Sequence, residues 1–121
     1  MLALKKIYKL LNPQGKVIIT TPSENAPLHK IGYAKGFDKR VGHLRRYTAG
    51  ELATKSKNVG FIVLETKKTE GIIRNFLYLN PIAGKSIRFI KYFMVDVILW
   101  MDWLSLKFLG ESDLIIVLEK P

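Results

Sequence analysis

A turn that leads into a short apolar run constrains the fold most strongly. Asn12, Pro13 and Gly15 occupy positions that a type I turn prefers, and the ring of Pro13 fixes its own φ. The run that follows, Val-Ile-Ile at residues 17–19, is β-branched and has no polar alternation, which indicates a strand covered on both faces. A strand of that kind requires a sheet with helices on each side. The sequence therefore predicts an α/β fold.

Hydrophobic spacing and capping residues predict two helices. Leu4, Ile7 and Leu11 recur at helical spacing and predict an amphipathic helix before the turn. The segment 48–51, Thr-Ala-Gly-Glu, has the sequence of a capping box, in which the Thr hydroxyl accepts from the Glu N–H and the Glu carboxylate reaches back. It predicts a helix over about 52–58, with Gly60 as the left-handed residue after it.

The last third of the chain predicts a helical insertion over about residues 72–110, followed by a final strand. A break at residues 80–84 precedes Ser86, which is expected to cap a long helix that runs toward Gly110. A second strand is expected to begin near Gly60, and a third spans 113–119 and has the texture of a strand buried on both faces. We expect the first and third strands to be neighbours.

Composition narrows the class of protein. The 121 residues suffice for one domain and include no cysteine, so disulfide frameworks and thiolate metal sites are excluded. The absence of cysteine is compatible with a reducing cytoplasm, and the location we expect is cytoplasmic, with or without association with a membrane. Residues 1–50 hold a formal charge of +8 out of the total of +10. A basic surface suits nucleic acid, anionic lipid or an acidic substrate, and an ordinary solvated face is as plausible as these three together.

Four segments in order carry a resemblance to a known family. They are LLNPQGKVIITTP at 10–22, VGHLRRYTAGEL at 41–52, NVGFIVLE at 58–65 and the closing strand at 113–121. This series resembles the C-terminal half of a class I S-adenosylmethionine-dependent methyltransferase. The resemblance implies a partial Rossmann-like sheet of that family's strands 5, 7 and 6, with helices D and E and the helical insertion before the last strand.

The resemblance also implies what the chain lacks. The family binds S-adenosylmethionine with a glycine-rich turn and an acidic residue that lie upstream of helix D, and no G-x-G-x-x-G occurs here. We therefore expect residues 1–121 to be the C-terminal portion of a methyltransferase domain, without a cofactor site of their own. Such a piece is expected to expose the unpaired edge of its first strand and to self-associate.

By resemblance, the loop after the first strand borders the pocket for the methyl acceptor. His43 is the candidate base, although a structural hydrogen-bonding role suits it better. The guanidinium groups of Arg45 and Arg46 suit a phosphate or carboxylate on the acceptor, with a solvated basic loop as the alternative. The candidate substrate-binding residues are Thr21, Pro22, Ser23, His29, Arg45, Arg46 and Tyr47, of which Tyr47 suits a packing anchor better.

The acceptor itself, a small or lipid-linked molecule, stays open. The long helix over 86–109 has two main interpretations, a lid over the acceptor pocket or an interfacial helix on a membrane surface, to which Trp100 and Trp103 are suited. A transmembrane span ranks lowest because Asp96 and Asp102 interrupt the apolar run. The alternative function is a non-catalytic membrane-surface or nucleic-acid-binding module. The nucleic-acid option is the weaker one, because helix-turn-helix, RNP and zinc-finger patterns are missing.

Overall fold

A computed structural model describes residues 2–42 and 45–121, except for the side chains of Phe89, Ile90, Lys91 and Phe93. The fold is mixed α/β. The elements, in chain order, are α1 (Leu2–Leu10), β1 (Lys16–Pro22), α2 (Pro27–Lys30), α3 (Lys35–Val41), α4 (Ala49–Val59), β2 (Ile62–Thr69), α5 (Ile72–Leu79), α6 (Pro81–Leu109) and β3 (Asp113–Glu119).

The three strands form one sheet in the order β1-β3-β2. β3 runs antiparallel to both neighbours, with Ile18 opposite Val117 on one side and Thr69 opposite Asp113 on the other. β1 and β2 therefore run in the same direction and end at the same edge of the sheet. The predicted adjacency of the first and third strands is confirmed. Within the described residues the outer edge of β1 has no strand partner, and self-association through it stays a prediction.

Helices cover one face of the sheet. Ile116 and Leu118 of β3 are fully buried there, against Leu52 of α4 and Phe61. Residues of α1 complete this core, with Tyr8 packed edge-on against Phe61 at a ring-centroid distance of 5.0 Å. The opposite face of β1 is open, and Ile18 is 67% exposed. Within the described residues, the prediction that β1 is covered on both faces is wrong, because β-branched texture reports strand propensity and not the presence of a covering layer. In β3 the second face is partly buried.

The ends of α4 follow the sequence prediction in part. The Thr48 hydroxyl accepts from the Glu51 N–H at 3.2 Å, and Gly60 adopts a left-handed conformation with φ of 109°. The Glu51 carboxylate does not complete a reciprocal capping box, because it forms ion pairs with Arg45 and Lys55 instead. These two cations, Lys55 foremost, lower the pKa of Glu51.

α5 and α6 form a helical hairpin over 72–109, as the predicted insertion requires. The long helix begins earlier than predicted. Asn80 is its N-cap, with the side-chain oxygen accepting from the N–H groups of Ile82 and Ala83 at 3.1 and 3.2 Å, and Pro81 takes the first helical position. Ser86 lies inside the helix and donates to the Ile82 carbonyl, so its predicted capping role is wrong. None of the helices in the described part of the chain is long and apolar enough to cross a bilayer.

The turn before β1 is of a different type from the one predicted. Gly15 donates to the Asn12 carbonyl at 2.9 Å, as a β-turn requires, but Gln14 at the third position has a φ of 61°. A positive φ at that position defines a type II turn. The Gln14 N–H also donates to the Lys120 carbonyl at 2.8 Å. This bond fixes the turn to the end of β3 and explains why a non-glycine residue is held there.

Candidate functional site

An open cavity of about 370 Å³ lies at the edge of the sheet where β1 and β2 both end. β1 contributes Thr20, Thr21 and Pro22, and β3 contributes its first residue, Asp113. The remaining lining comes from Glu70, which follows β2, and from Tyr78 of α5. Because ligands of open α/β sheets bind beyond the strand ends, this cavity is the candidate site.

A pair of carboxyl groups distinguishes the cavity chemically. Thr69 pairs with Asp113 in the sheet, so the next residue, Glu70, is held beside the Asp113 carboxyl. Burial raises the pKa of Glu70, and the charge and hydrogen bond of Asp113 raise it further, while Arg74 opposes the shift. A carboxyl of raised pKa is a better proton acceptor near neutral pH than an ordinary glutamate. Glu70 also holds a positive φ of 56°, and its carbonyl accepts from the Ser112 N–H at 2.8 Å.

The first turn of α5 is held by a carboxylate from α6. The two oxygens of Asp102 accept from the N–H groups of Gly71 and Arg74 at 3.0 and 2.8 Å, and the Ser105 hydroxyl accepts from the Ile72 N–H at 3.1 Å. These contacts satisfy the free donors at the helix start and suit its positive dipole end. They fix the start of α5, which follows Glu70 and carries Tyr78, the two cavity residues of this segment.

Ser23 directly follows Pro22 and belongs to a buried network. Its side chain is fully buried and donates to the Glu111 carboxylate at 3.0 Å, and the Asn25 amide donates to the same oxygen at 3.1 Å. Lys68 lies 3.3 Å from the other Glu111 oxygen. Burial alone raises the pKa of Glu111, but its own backbone N–H together with Asn25, Ser23 and Lys68 outweighs burial and lowers it. Ser23 is therefore placed as a structural group and does not line the cavity.

Arg46 and His29 meet at another carboxylate. Arg46 forms a two-pronged pair with Asp38 at 2.9 and 2.6 Å and donates to the Ser23 carbonyl at 3.1 Å. His29 Nδ1 lies 3.5 Å from an Asp38 oxygen and has no hydrogen-bond partner among the described residues. A small cavity of about 40 Å³ shares Pro22 with the candidate site and reaches Arg46. Arg46 thus borders the site, but Asp38 already occupies much of its guanidinium.

The remaining predicted site residues lie on the loop before α4. The Arg45 guanidinium pairs with Glu51 and lies over the Tyr47 ring, 5.2 Å from its centroid. Tyr47 packs against the main core and its backbone bridges to Ser23, as a packing anchor would. His43, the candidate base, lies outside the described residues. Of the predicted residues that the structure describes, Thr21 and Pro22 line the cavity and Arg46 borders it, whereas Ser23, His29, Arg45 and Tyr47 are not among its lining residues.

Sequence reasoning missed four residues of the cavity. Thr20, Glu70, Tyr78 and Asp113 come from distant parts of the chain, and only the register of β2 against β3 brings Glu70 to Asp113. The sequence signal for these two acidic residues is their position, since Asp113 begins the predicted third strand and Glu70 follows the second strand. Within residues 2–42 and 45–121, no group of three His, Asp or Glu side chains is arranged to hold a metal ion.

No protein-family model matches the chain, and no curated protein matches it.

Proposed function

We propose that residues 1–121 form the acceptor-side part of a class I S-adenosylmethionine-dependent methyltransferase. The observation that carries the proposal is the sheet order β1-β3-β2, which is the order of strands 5, 7 and 6 that the sequence resemblance implies. A cavity large enough for part of a small-molecule or lipid-linked acceptor lies at the ends of β1 and β2. Its position suits ligand binding in an α/β sheet.

The residues of the cavity suit the chemistry of an acceptor. S-adenosylmethionine, when bound, supplies a methyl group whose carbon–sulfur bond breaks, with its electron pair going to sulfur, as the acceptor atom bonds to the carbon. Glu70 takes the proton that an oxygen or nitrogen acceptor loses, and its raised pKa suits that role. Hydroxyl groups of Thr20, Thr21 and Tyr78 orient the acceptor by hydrogen bonds. The negative charge of Asp113 is also compatible with a sulfonium cation nearby.

Cofactor binding tests the proposal. The protein translated from the complete reading frame is titrated with S-adenosylmethionine in a calorimeter, beside residues 1–121 alone. We expect the complete product to bind and residues 1–121 alone not to bind, because the glycine-rich turn is not in this sequence. A complete product that does not bind S-adenosylmethionine would overturn the proposal.

The second candidate is a non-catalytic membrane-surface module. The specific observation in its favour is the exposed apolar surface of α6, which includes Trp100 at 61% and Phe108 at 73% exposure. The nucleic-acid alternative has less support, because Arg45 and Arg46 of the basic loop are paired with Glu51 and Asp38. Methyl transfer and membrane contact are compatible, and the second is developed below on its own evidence.

A further inference from the structure

The α5–α6 hairpin exposes a large apolar surface. In α6, Trp100, Trp103 and Phe108 are 61%, 57% and 73% exposed. Trp100 and Phe108 also line a shallow groove of about 510 Å³ between the two helices. The rest of its lining is almost entirely apolar and includes Ile72, Ile73, Met101 and Leu104. Continuous apolar surface of this kind marks a site of interaction.

Positive charge lies on the face of the helix that carries Trp103, next to the apolar surface. Lys85, Arg88, Trp103 and Lys107 fall at spacings that place them on one face of α6, and the described cations among them are exposed. The Lys107 ammonium lies 5.7 Å from the centroid of the Trp103 ring. Asp96 is an exposed acid on this face. Asp102 points the other way and is 3% exposed, because it caps α5.

The combination of apolar side chains and cations on the hairpin favours an anionic bilayer over a second copy of the chain as its partner. A second copy of the chain would bring the same cations against each other, and each chain has a formal charge of +10. An anionic bilayer accepts the cations at its headgroups and the apolar side chains below them in one step. Tryptophan, with an apolar ring and a polar N–H, is the side chain that membrane interfaces favour.

We propose that the α5–α6 hairpin docks on the surface of an anionic phospholipid bilayer, with Trp100, Trp103 and Phe108 inserted at the level of the headgroups and the upper acyl chains. Arg88 and Lys107 contact the phosphates. Asp96 keeps the helix at the interface, since a carboxylate is costly in the hydrocarbon centre. The docking goes beyond the proposed methyl transfer and does not depend on it.

The sequence offers a direct probe, because Trp100 and Trp103 are the two tryptophans of the whole chain. The protein is mixed with vesicles of phosphatidylcholine, with or without phosphatidylglycerol, and floated through a density gradient. We expect it to float with the anionic vesicles and several-fold less with the neutral ones. Its tryptophan emission should shift to the blue and be quenched by lipids with brominated acyl chains. Raised salt should weaken the binding.

Matched charge variants test the chosen face. Lys107→Gln should weaken vesicle binding about fivefold, as expected for one cation near an anionic surface. Lys57→Gln replaces an exposed lysine of α4, outside the α5–α6 hairpin, and this variant should bind vesicles like the unaltered chain. Far-UV circular dichroism checks that both variants fold.

Three results would overturn the proposal. The first is protein that stays at the bottom of the gradient with anionic vesicles. The second is equal weakening by Lys107→Gln and Lys57→Gln. The third is a blue shift of the tryptophan emission that grows with protein concentration in the absence of lipid. That result would mean that the apolar surface of the hairpin binds a second copy of the chain. Pairing through the β1 edge alone would leave the emission unchanged, because both tryptophans lie on α6.

Discussion

Apolar side chains are buried in the sheet layer, formed by the three strands with α1 and α4, and exposed in the α5–α6 hairpin. In β3, Leu114, Ile116 and Leu118 are fully buried, whereas Trp100, Trp103 and Phe108 on α6 are each more than half exposed. Apolar texture in the sequence therefore predicts that an element forms but not what covers it. The two regions meet at a polar junction, the segment from Glu70 to the start of α5 together with the Asp102 carboxylate that caps it. Glu70 of this junction also lines the candidate site.

Truncating one apolar residue in each region should give the largest difference in the free energy of unfolding. Ile116→Ala removes a fully buried side chain from the core and should lower the free energy of unfolding by about 3 kcal/mol. Met101→Ala, at a position 47% exposed, should change it by less than about 1 kcal/mol. Urea denaturation measures both. Equal losses would mean that the hairpin is packed as tightly as the sheet layer.

The junction should tolerate no added bulk. A Cβ at Gly71 would clash with the Ser105 hydroxyl and the Asp102 carbonyl, so Gly71→Ala should lower the free energy of unfolding by about 2 kcal/mol. Gly50→Ala in α4 is the matched control, since its Cβ would meet open space within a helix. That control should stabilise by about 0.5–1 kcal/mol. Thermal unfolding followed by circular dichroism separates the two, and destabilisation by both would contradict the assigned contacts.

The cap between the helices should account for a smaller part of the stability. Asp102→Ala leaves N–H groups of α5 without an acceptor and should destabilise by about 1–2 kcal/mol. Asp96→Ala, at an exposed position of the same helix, should have little effect. Hydrogen exchange of the Gly71 and Arg74 amides locates the change. If both variants leave those amides equally protected, Asp102 is not the cap.

The two carboxyl groups on either side of the junction should respond to pH with opposite sign. The pKa of Glu111 is lowered on folding, so its stabilising contribution is present above its unfolded pKa and is lost as pH falls through the folded value. The pKa of Glu70 is raised, so its contribution is present below the unfolded pKa and is lost as pH rises through the folded value.

Substitution should reveal these signs in urea denaturation at acid and neutral pH. Glu70→Gln should gain stability relative to the unaltered chain as pH rises through the folded pKa of Glu70. This gain in the free energy of unfolding should be smaller than the losses expected for the Ile116, Gly71 and Asp102 variants. Glu111→Gln should lose stability at neutral pH and approach the unaltered chain in acid. Two variants with parallel pH profiles would refute the assigned directions.

Much of the sheet layer was predictable because its signals are local. The Thr48 cap, the left-handed Gly60 and the β-branched runs of β1 and β3 each act within a few residues. The helices of the hairpin were predicted as an insertion, but the Asp102 cap between them and the site were not, because these depend on contacts between residues distant in sequence. α6 starts before the predicted Ser86 cap because Asn80 and Pro81 supply the N-cap and the first helical residue.

The candidate site shows the same limit. Pro22 and Thr21 were predictable because they end a predicted strand. Glu70 and Asp113 are 43 positions apart, and only the sheet register makes them neighbours. The predicted anion-binding role of Arg46 did not anticipate Asp38, since a two-pronged ion pair eight residues away leaves no pattern in the sequence.

Transfer of the methyl group itself tests the account most directly. The complete reading-frame product is incubated with S-adenosylmethionine tritiated in its methyl group and an extract of the source cells, and label is counted in the lipid and aqueous fractions. We expect labelled product from the unaltered protein and from Glu65→Gln, a control at an exposed glutamate of β2. Glu70→Gln should lower the rate by about 100-fold or more, as for the loss of a general base. A rate for Glu70→Gln equal to that of the unaltered protein, or no transfer by either, would contradict the account.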